Sequence, residues 1–318
     1  MSKYAAKPLF PEKLHTYSLK NRKSKVGVER FARVWEPDPS FRDFIAGLPD
    51  ILGGSDFKAF VQAWVSARSQ GRGMILGLGA HVIKVGLNPV IIDLMRRGWV
   101  TALAMNGAGA IHDFEVAYAG ITSEDVADQI QQGNFGMARE TGEHLNAASE
   151  AARRQDIGLG EAVGKMLADS DFPHRDVSLL ASAYLLNIPV SLHVALGTDT
   201  IHFFPQVSGE ALGKASLTDF FLFCRLVCDL DGGGIYLNAG SAVILPEVFL
   251  KAVSYVRNLG HRLEDFSTAV CDFIRHYRPE QNVTVRPLRG KGSGYYFVAQ
   301  HEVFIPLLAA ALKSNRIE

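Results

Sequence analysis

The sequence predicts an α/β protein built on a doubly wound, mostly parallel sheet. Two observations predict it. Short apolar runs ending in small residues recur at 74–95, 100–118, 188–203 and 235–257, each leading into a helical pattern. The stretch from Gly73 to Asp125 shows the unit most fully: strand, glycine turn, helix, strand, glycine turn. Two parallel strands joined by a helix form a βαβ unit, and open α/β sheets bind ligands beyond the carboxyl ends of their strands.

Residues 1 to about 70 are less regular. Pro8, Pro11, Pro37, Pro39 and Pro49 punctuate them, and Phe57, Phe60, Val61 and Trp64 predict a helix leading into the sheet. The organisation expected is an N-terminal extension over 1–70 that packs on a main domain over 71–318. In that domain, Met74 to Leu78 is a strand that ends in Gly77-Leu78-Gly79. Asn88 is placed to N-cap the next helix, Pro89 suits its first position, and Gly98 suits its left-handed stop. Val100 to Met105 forms the next strand and turns at Asn106-Gly107-Ala108-Gly109.

Thr122 and Asp125 read as a capping box for a helix running to Gly133. Residues 135–168 read as one or two mostly exposed helices broken around Gly158-Leu159-Gly160. Ser178 to Leu186 is helical, and Ile188 to Leu196 is a strand ending in Gly197-Thr198-Asp199. Ser216-Leu217-Thr218-Asp219 opens an apolar helix, Ile235 to Leu237 is a strand, and Pro246 starts another helix. A helix over Asp265 to Tyr277, a strand over Tyr295 to Ala299 and a helix from Pro306 complete the reading.

The chain has 318 residues, 47% of them hydrophobic and 21% charged, with a formal net charge of zero. That balance gives no support to a nucleic-acid or anionic-membrane partner. The basic run Lys20-Asn21-Arg22-Lys23-Ser24-Lys25 reads as a solvated tail. Cys224, Cys228 and Cys271 cannot all pair, and the first two lie four apart on an apolar helix, as core residues do. That usage fits a reducing compartment, and no signal segment or membrane-spanning run is present, so the expected location is cytoplasmic.

Chemistry is signalled at the strand ends. Gly77-x-Gly79 and Gly107-x-Gly109 lack the third glycine of a dinucleotide fingerprint, and Asn106 stands where a ribose-binding acid would be. Several such turns on one sheet edge nevertheless point to a nucleotide or phosphate-bearing ligand, with Gly77, Gly79 and Asn238 among the contacts. His81, His112, His193, His202 and His301 all fall at or just past predicted strand ends. A metal site from these histidines with Asp113, Glu115 or Asp199 is an alternative, although no ligand spacing marks one. Lys84, Lys214 and Lys291 are the loop lysines open to nucleophilic or phosphate-binding roles. No Gly-x-Ser-x-Gly elbow supports serine hydrolase chemistry.

Over residues 70 to 312 the order of motifs resembles deoxyhypusine synthase. GLGAHVIKVG stands where that family has a Ser-Asn turn ending in glycine, and MNGAGAIHDFE where it has Thr-Ala-Gly-Gly followed by acids. IPVSLHVALGTD resembles its Ile-Pro-Val strand, GGGIYLNAGSAVI its glycine-rich strand end, and VFIPLLAAAL its terminal helix. The resemblance implies a Rossmann-like NAD-binding fold that works as a homotetramer. It implies an enzyme that oxidises a spermidine-like polyamine and transfers the aminobutyl group to an amine or a protein lysine. Cofactor contacts then fall on Ala80, His81, Lys84, Asn106, Gly107, Ala108, Asp199 and Gly240. His112 becomes the acid–base group, Asp113 faces the amine, and Lys291, within Arg289-Gly290-Lys291-Gly292, is the nearest counterpart of the family's nucleophile. Beside it stand two alternatives: a metal-assisted hydrolase or lyase on the same scaffold, and a nucleotide-binding module without catalysis.

Overall fold

The computed structural model describes His15, Ser18 and residues 26–34, 40–288 and 291–315. The basic run at 20–25 and Pro8, Pro11, Pro37 and Pro39 lie outside the described residues. Among the described residues one sheet of six strands stands in the order β3-β2-β1-β4-β5-β6. The strands are β1 (Met74–Leu78), β2 (Ala102–Asn106), β3 (Val190–His193), β4 (Gly234–Ala239), β5 (Phe266–Asp272) and β6 (Gly294–Val298). Every neighbouring pair is parallel. The chain builds outward from β1 to β3, then returns to β4 and builds the other way. The expected doubly wound α/β fold is therefore present, with its strand order reversing between β1 and β4.

Strands inside a parallel sheet are covered on both faces, which is why β1 is buried at every position. Alternate residues serve opposite layers. Leu76, Leu78 and Leu103 pack with Phe57, Phe60 and Trp64 of α2 (Leu52–Ser69), Ile91 and Leu94 of α4 (Asn88–Arg96), and Leu308 of α13 (His301–Ser314). Ile75, Tyr236 and Val270 pack with Phe223 of α10 (Gly209–Cys228) and Phe249 of α11 (Ile244–Asn258). Trp64 is fully buried, and its indole N–H donates to the carbonyl of Trp99 at 2.9 Å.

Gly98 takes the left-handed stop after α4 at φ 69°. Asn88, however, does not cap that helix. Its side-chain amide donates instead to Asp113 and to the carbonyl of Val177. Three further expectations are corrected. Residues 266–272 are β5, not helix: a short apolar run reads either way, and here it lies between β4 and β6. Ser208, not Ser216, caps α10, and Asp219 lies mid-helix, accepting from Gly160 N and Leu192 N. The terminal helix begins at His301, with Pro306 inside it. In addition, α6 (Val126–Gln131) is capped by Asp125 alone, which frees Thr122 for another role. The break near Gly158 separates α7 (Arg139–Gln155) from α8 (Leu159–Ala168), and α8 is mostly buried rather than exposed. Among the described residues no helix is long and apolar enough to cross a membrane.

Candidate functional site

At the carboxyl edge of the sheet a cleft of about 210 Å³ opens over β2 and β3. Its wall includes Lys84, the last residue of α3 (Ala80–Lys84), and Ala108, His112 and Glu115 of α5 (Gly107–Ala119). Two connecting segments complete it, one through Ser123 and Glu124, the other through Thr198 and Asp199. At this size the cleft suits a compact ligand, since sites for drug-sized molecules run to roughly 300–1,000 Å³.

His112 is held by a short relay. Thr122 Oγ1 lies 2.6 Å from His112 Nδ1 and donates its proton to Glu115 Oε2. A hydroxyl has one proton to give, so Thr122 accepts from the imidazole and Nδ1 carries hydrogen. The lone pair of the neutral ring then sits on Nε2, the nitrogen a general base uses. Burial pushes the Glu115 carboxyl up, but hydrogen bonds from His112 and Thr122 outweigh it and hold the group below the usual range. Replacing Thr122 with valine is expected to release this tautomer, which nitrogen NMR shifts of the His112 ring would register; an unchanged pattern would show that Thr122 does not set it.

Asp113, one residue on, points away from the cleft. It is fully buried, and its Oδ1 accepts from Asn88 Nδ2 at 3.0 Å and Leu179 N at 2.8 Å. Its Oδ2 accepts from Ser178 Oγ at 2.6 Å and Leu180 N at 3.0 Å. Neighbours on a helix face different ways. The expectation that Asp113 meets a substrate amine is corrected: it clasps α4 and α5 to the start of α9 (Leu179–Leu185).

Asp199 lines the cleft. Its side chain is 8% exposed, and Oδ2 has no hydrogen-bond partner. A Cβ added at Gly107 would lie 2.0 Å from that oxygen, so only glycine lets the carboxylate approach the start of α5. Nearby, His202 Nδ1 accepts from Gly197 N at 3.0 Å and Asp199 N at 3.3 Å. Its Nε2 therefore carries the proton, 3.9 Å from Asp199 Oδ2. Burial lowers the His202 imidazole and pushes Asp199 up to about 6.

The pH dependence follows from the Asp199 value. Its folded-state value of about 6 lies above the ordinary 3.8, so ionisation works against the fold. The penalty is absent below pH 3.8, grows up to about pH 6 and is constant above. A shift of about two units amounts to roughly 3 kcal/mol. Asp199→Asn is expected to stabilise the protein by up to that amount near pH 8 and by little near pH 4, measured by denaturant unfolding at each pH. Equal effects at both would contradict it.

The remaining expected residues divide. Gly77 and Gly79 are glycine for a packing reason: added Cβ atoms would lie 2.5 Å from the Tyr236 hydroxyl and 2.0 Å from the Gly240 carbonyl oxygen, respectively. Gly240 itself has φ 72°, a glycine conformation. Asn106 caps α5 by accepting from Gly109 N at 3.0 Å. Ala80 and His81 begin α3, with the His81 ring 5.4 Å from that of His301. Burial first, then the nearby His301, lowers His81. Asn238 is buried in β4, where its amide donates to Ser241 O and its Oδ1 has no partner.

Lys291 does not belong to the site. It is exposed just ahead of β6, and a Cβ at the adjacent Gly292 would lie 2.2 Å from the carbonyl oxygen of Phe266, the first residue of β5. It therefore stands at the amino edge of the sheet, opposite the cleft. Nor do the histidines form one group: His81 and His301 face each other, whereas His193 is buried against Phe223, and burial lowers it to about 4. Among the described residues no three His, Cys, Asp or Glu groups are gathered to hold a metal ion. Thr122 and Glu124 were not legible as site residues, because their signals were those of a helix cap and a solvated loop.

No family model matches the chain, and no curated protein matches it. Among solved structures, a protein of Methanococcus maripaludis S2 described as LOR/SDH aligns with TM-score 0.51 and 16% identity, over 88% of this chain and 71% of that one. ArgZ, an arginine dihydrolase from the ornithine–ammonia cycle in cyanobacteria, aligns with TM-score 0.50 and 17% identity over 85% of this chain. The chain spans only 34% of ArgZ. A protein of Entamoeba histolytica described as a deoxyhypusine synthase gives TM-score 0.47 and 10% identity over 90% of this chain and 97% of that one, too low to carry weight. At these identities what is shared is the α/β fold.

Proposed function

We propose that this chain is an NAD-binding enzyme that oxidises a cationic amine, the redox half of the chemistry implied by the resemblance to deoxyhypusine synthase. The observation that carries the reading is the His112–Thr122–Glu115 relay in the same cleft wall as Asp199, whose Oδ2 accepts no hydrogen bond. The buried acceptor Asn238 Oδ1 suits a hydroxyl or amide donor of a dinucleotide. The first N–H groups of α5, at Gly107 and Ala108, lie beyond the helix's own bonding and suit a phosphate. When bound, NAD would supply the two-electron hydride acceptor.

The chain's own groups would do the rest. Asp199 holds the substrate ammonium. His112 Nε2 takes one ammonium proton, leaving a neutral amine whose lone pair forms the C=N bond as the hydride departs from carbon. The product is an iminium ion. The resemblance names a spermidine-like polyamine as substrate and an amine or protein lysine as acceptor. Because Lys291 lies on the far edge, a relay through it is left out, and an acceptor would enter from outside. Leu217, Phe221, Tyr255 and Leu259 form exposed apolar surface on α10, α11 and the turn after it, which supports assembly with further copies.

The test has two parts. Saturating NAD is expected to raise the melting temperature, since a ligand at about 100 times its Kd adds roughly 2.7 kcal/mol. Adding an amine should then yield reduced cofactor, followed by absorbance. No thermal shift with NAD removes the cofactor; a shift with no amine-dependent reduction removes the oxidation.

A further inference from the structure

We infer that the amine taken by this cleft carries a carboxylate, making the ligand a basic amino acid rather than a polyamine. The inference rests on the reading of the cleft as an amine site. It comes from how the charged groups in the wall are, and are not, already paired.

Three carboxylates line the cleft: Glu115, Glu124 and Asp199. Glu115 is committed to Thr122 and His112 and works with them. Glu124 is exposed and accepts the backbone N–H of Gly136 at 2.8 Å, with no cationic side chain paired to it among the described residues. Asp199 Oδ2 accepts no hydrogen bond, on a side chain more than nine-tenths buried, and His202 Nε2 beside it stands off at 3.9 Å. Such an oxygen costs the fold free energy unless a ligand supplies a donor. Two negative groups are thus left for cationic centres on a ligand.

Lys84 lines the same cleft and is exposed. Among the described residues it makes no ion pair or hydrogen bond, although three carboxylates share its wall. A lysine present only to neutralise those acids would pair with one of them. A polyamine, cationic along its whole length, would set an ammonium against this side chain, and like charges brought together oppose binding. A ligand with one carboxylate and two cationic groups matches every uncommitted charge: its carboxylate to Lys84, its cations to Asp199 and Glu124. The volume of about 210 Å³ limits it to a small molecule of this kind.

Matched pairs that differ only by the carboxylate test the idea: ornithine against putrescine, lysine against cadaverine, arginine against agmatine. Binding of each is measured by calorimetry on the full chain with NAD present. The carboxylated member of at least one pair is expected to bind about tenfold tighter or more, and Lys84→Met to abolish that preference without changing NAD affinity. Amines that bind as tightly as their amino acids overturn the inference while leaving the amine site intact. Lys84→Met weakening NAD instead overturns it by assigning the lysine to the cofactor. Binding of neither class overturns both this inference and the reading on which it rests.

Discussion

Alanine in place of Asp113 is expected to destabilise the protein by about 3–4 kcal/mol, enough to leave a marginal domain largely unfolded on warming. The carboxylate accepts four hydrogen bonds, from Asn88, Ser178, Leu179 and Leu180. Truncation orphans two backbone N–H groups at the start of α9, each at roughly 1–3 kcal/mol, and loosens the Asn88 amide between α4 and α5. Burial pushes this carboxyl up while the four donors oppose it, so removing the charge returns part of the loss. Asparagine should not rescue it, because its NH₂ would face a backbone donor. Denaturant unfolding measures the change; a loss below about 1 kcal/mol would mean the clasp is not what joins these helices.

Alanine in place of His112 is expected to act on turnover instead. Loss of a positioned acid–base group slows a reaction by about 10²–10⁴-fold. Amine-dependent reduction of NAD should fall by that factor, with a smaller loss of stability than at Asp113, because the His112 ring has one hydrogen-bond partner, Thr122, where Asp113 has four. Thr122→Ser should keep most of the rate, since it preserves the hydroxyl that the relay needs. A His112→Ala protein with full activity would remove the imidazole from the reaction. These adjacent residues, 112 and 113, thus separate a role in chemistry from a role in folding.

The sheet was legible in the sequence because its central strands are buried on both faces and appear as unbroken apolar runs such as Met74 to Leu78. The same property hid β5. Phe266 to Asp272 has the length and composition of either element, and only the neighbours β4 and β6 decide between them. Helix stops marked by glycine, as at Gly98, were readable from backbone chemistry. Starts marked by Ser, Thr or Asn were less so, because Asn88, Thr122 and Asp219 spend their polar groups on distant partners. The site was half legible for a related reason. Strand ends located His112 and Asp199, but no local pattern shows that Thr122 folds back on α5, that Asp113 turns inward, or that Gly77 and Gly79 make room for neighbouring protein atoms.

That last feature bears on how such a protein can change its ligand over evolutionary time. Gly77 and Gly79 are spent on the close approach of Tyr236 and Gly240, so they leave little freedom to vary. Much of the polar wall comes from two grafts onto the sheet edge, residues 122–136 and 197–202, which carry Thr122, Glu124, Asp199 and His202. A library that diversifies those two segments and leaves the strands untouched would explore new ligands on an old frame.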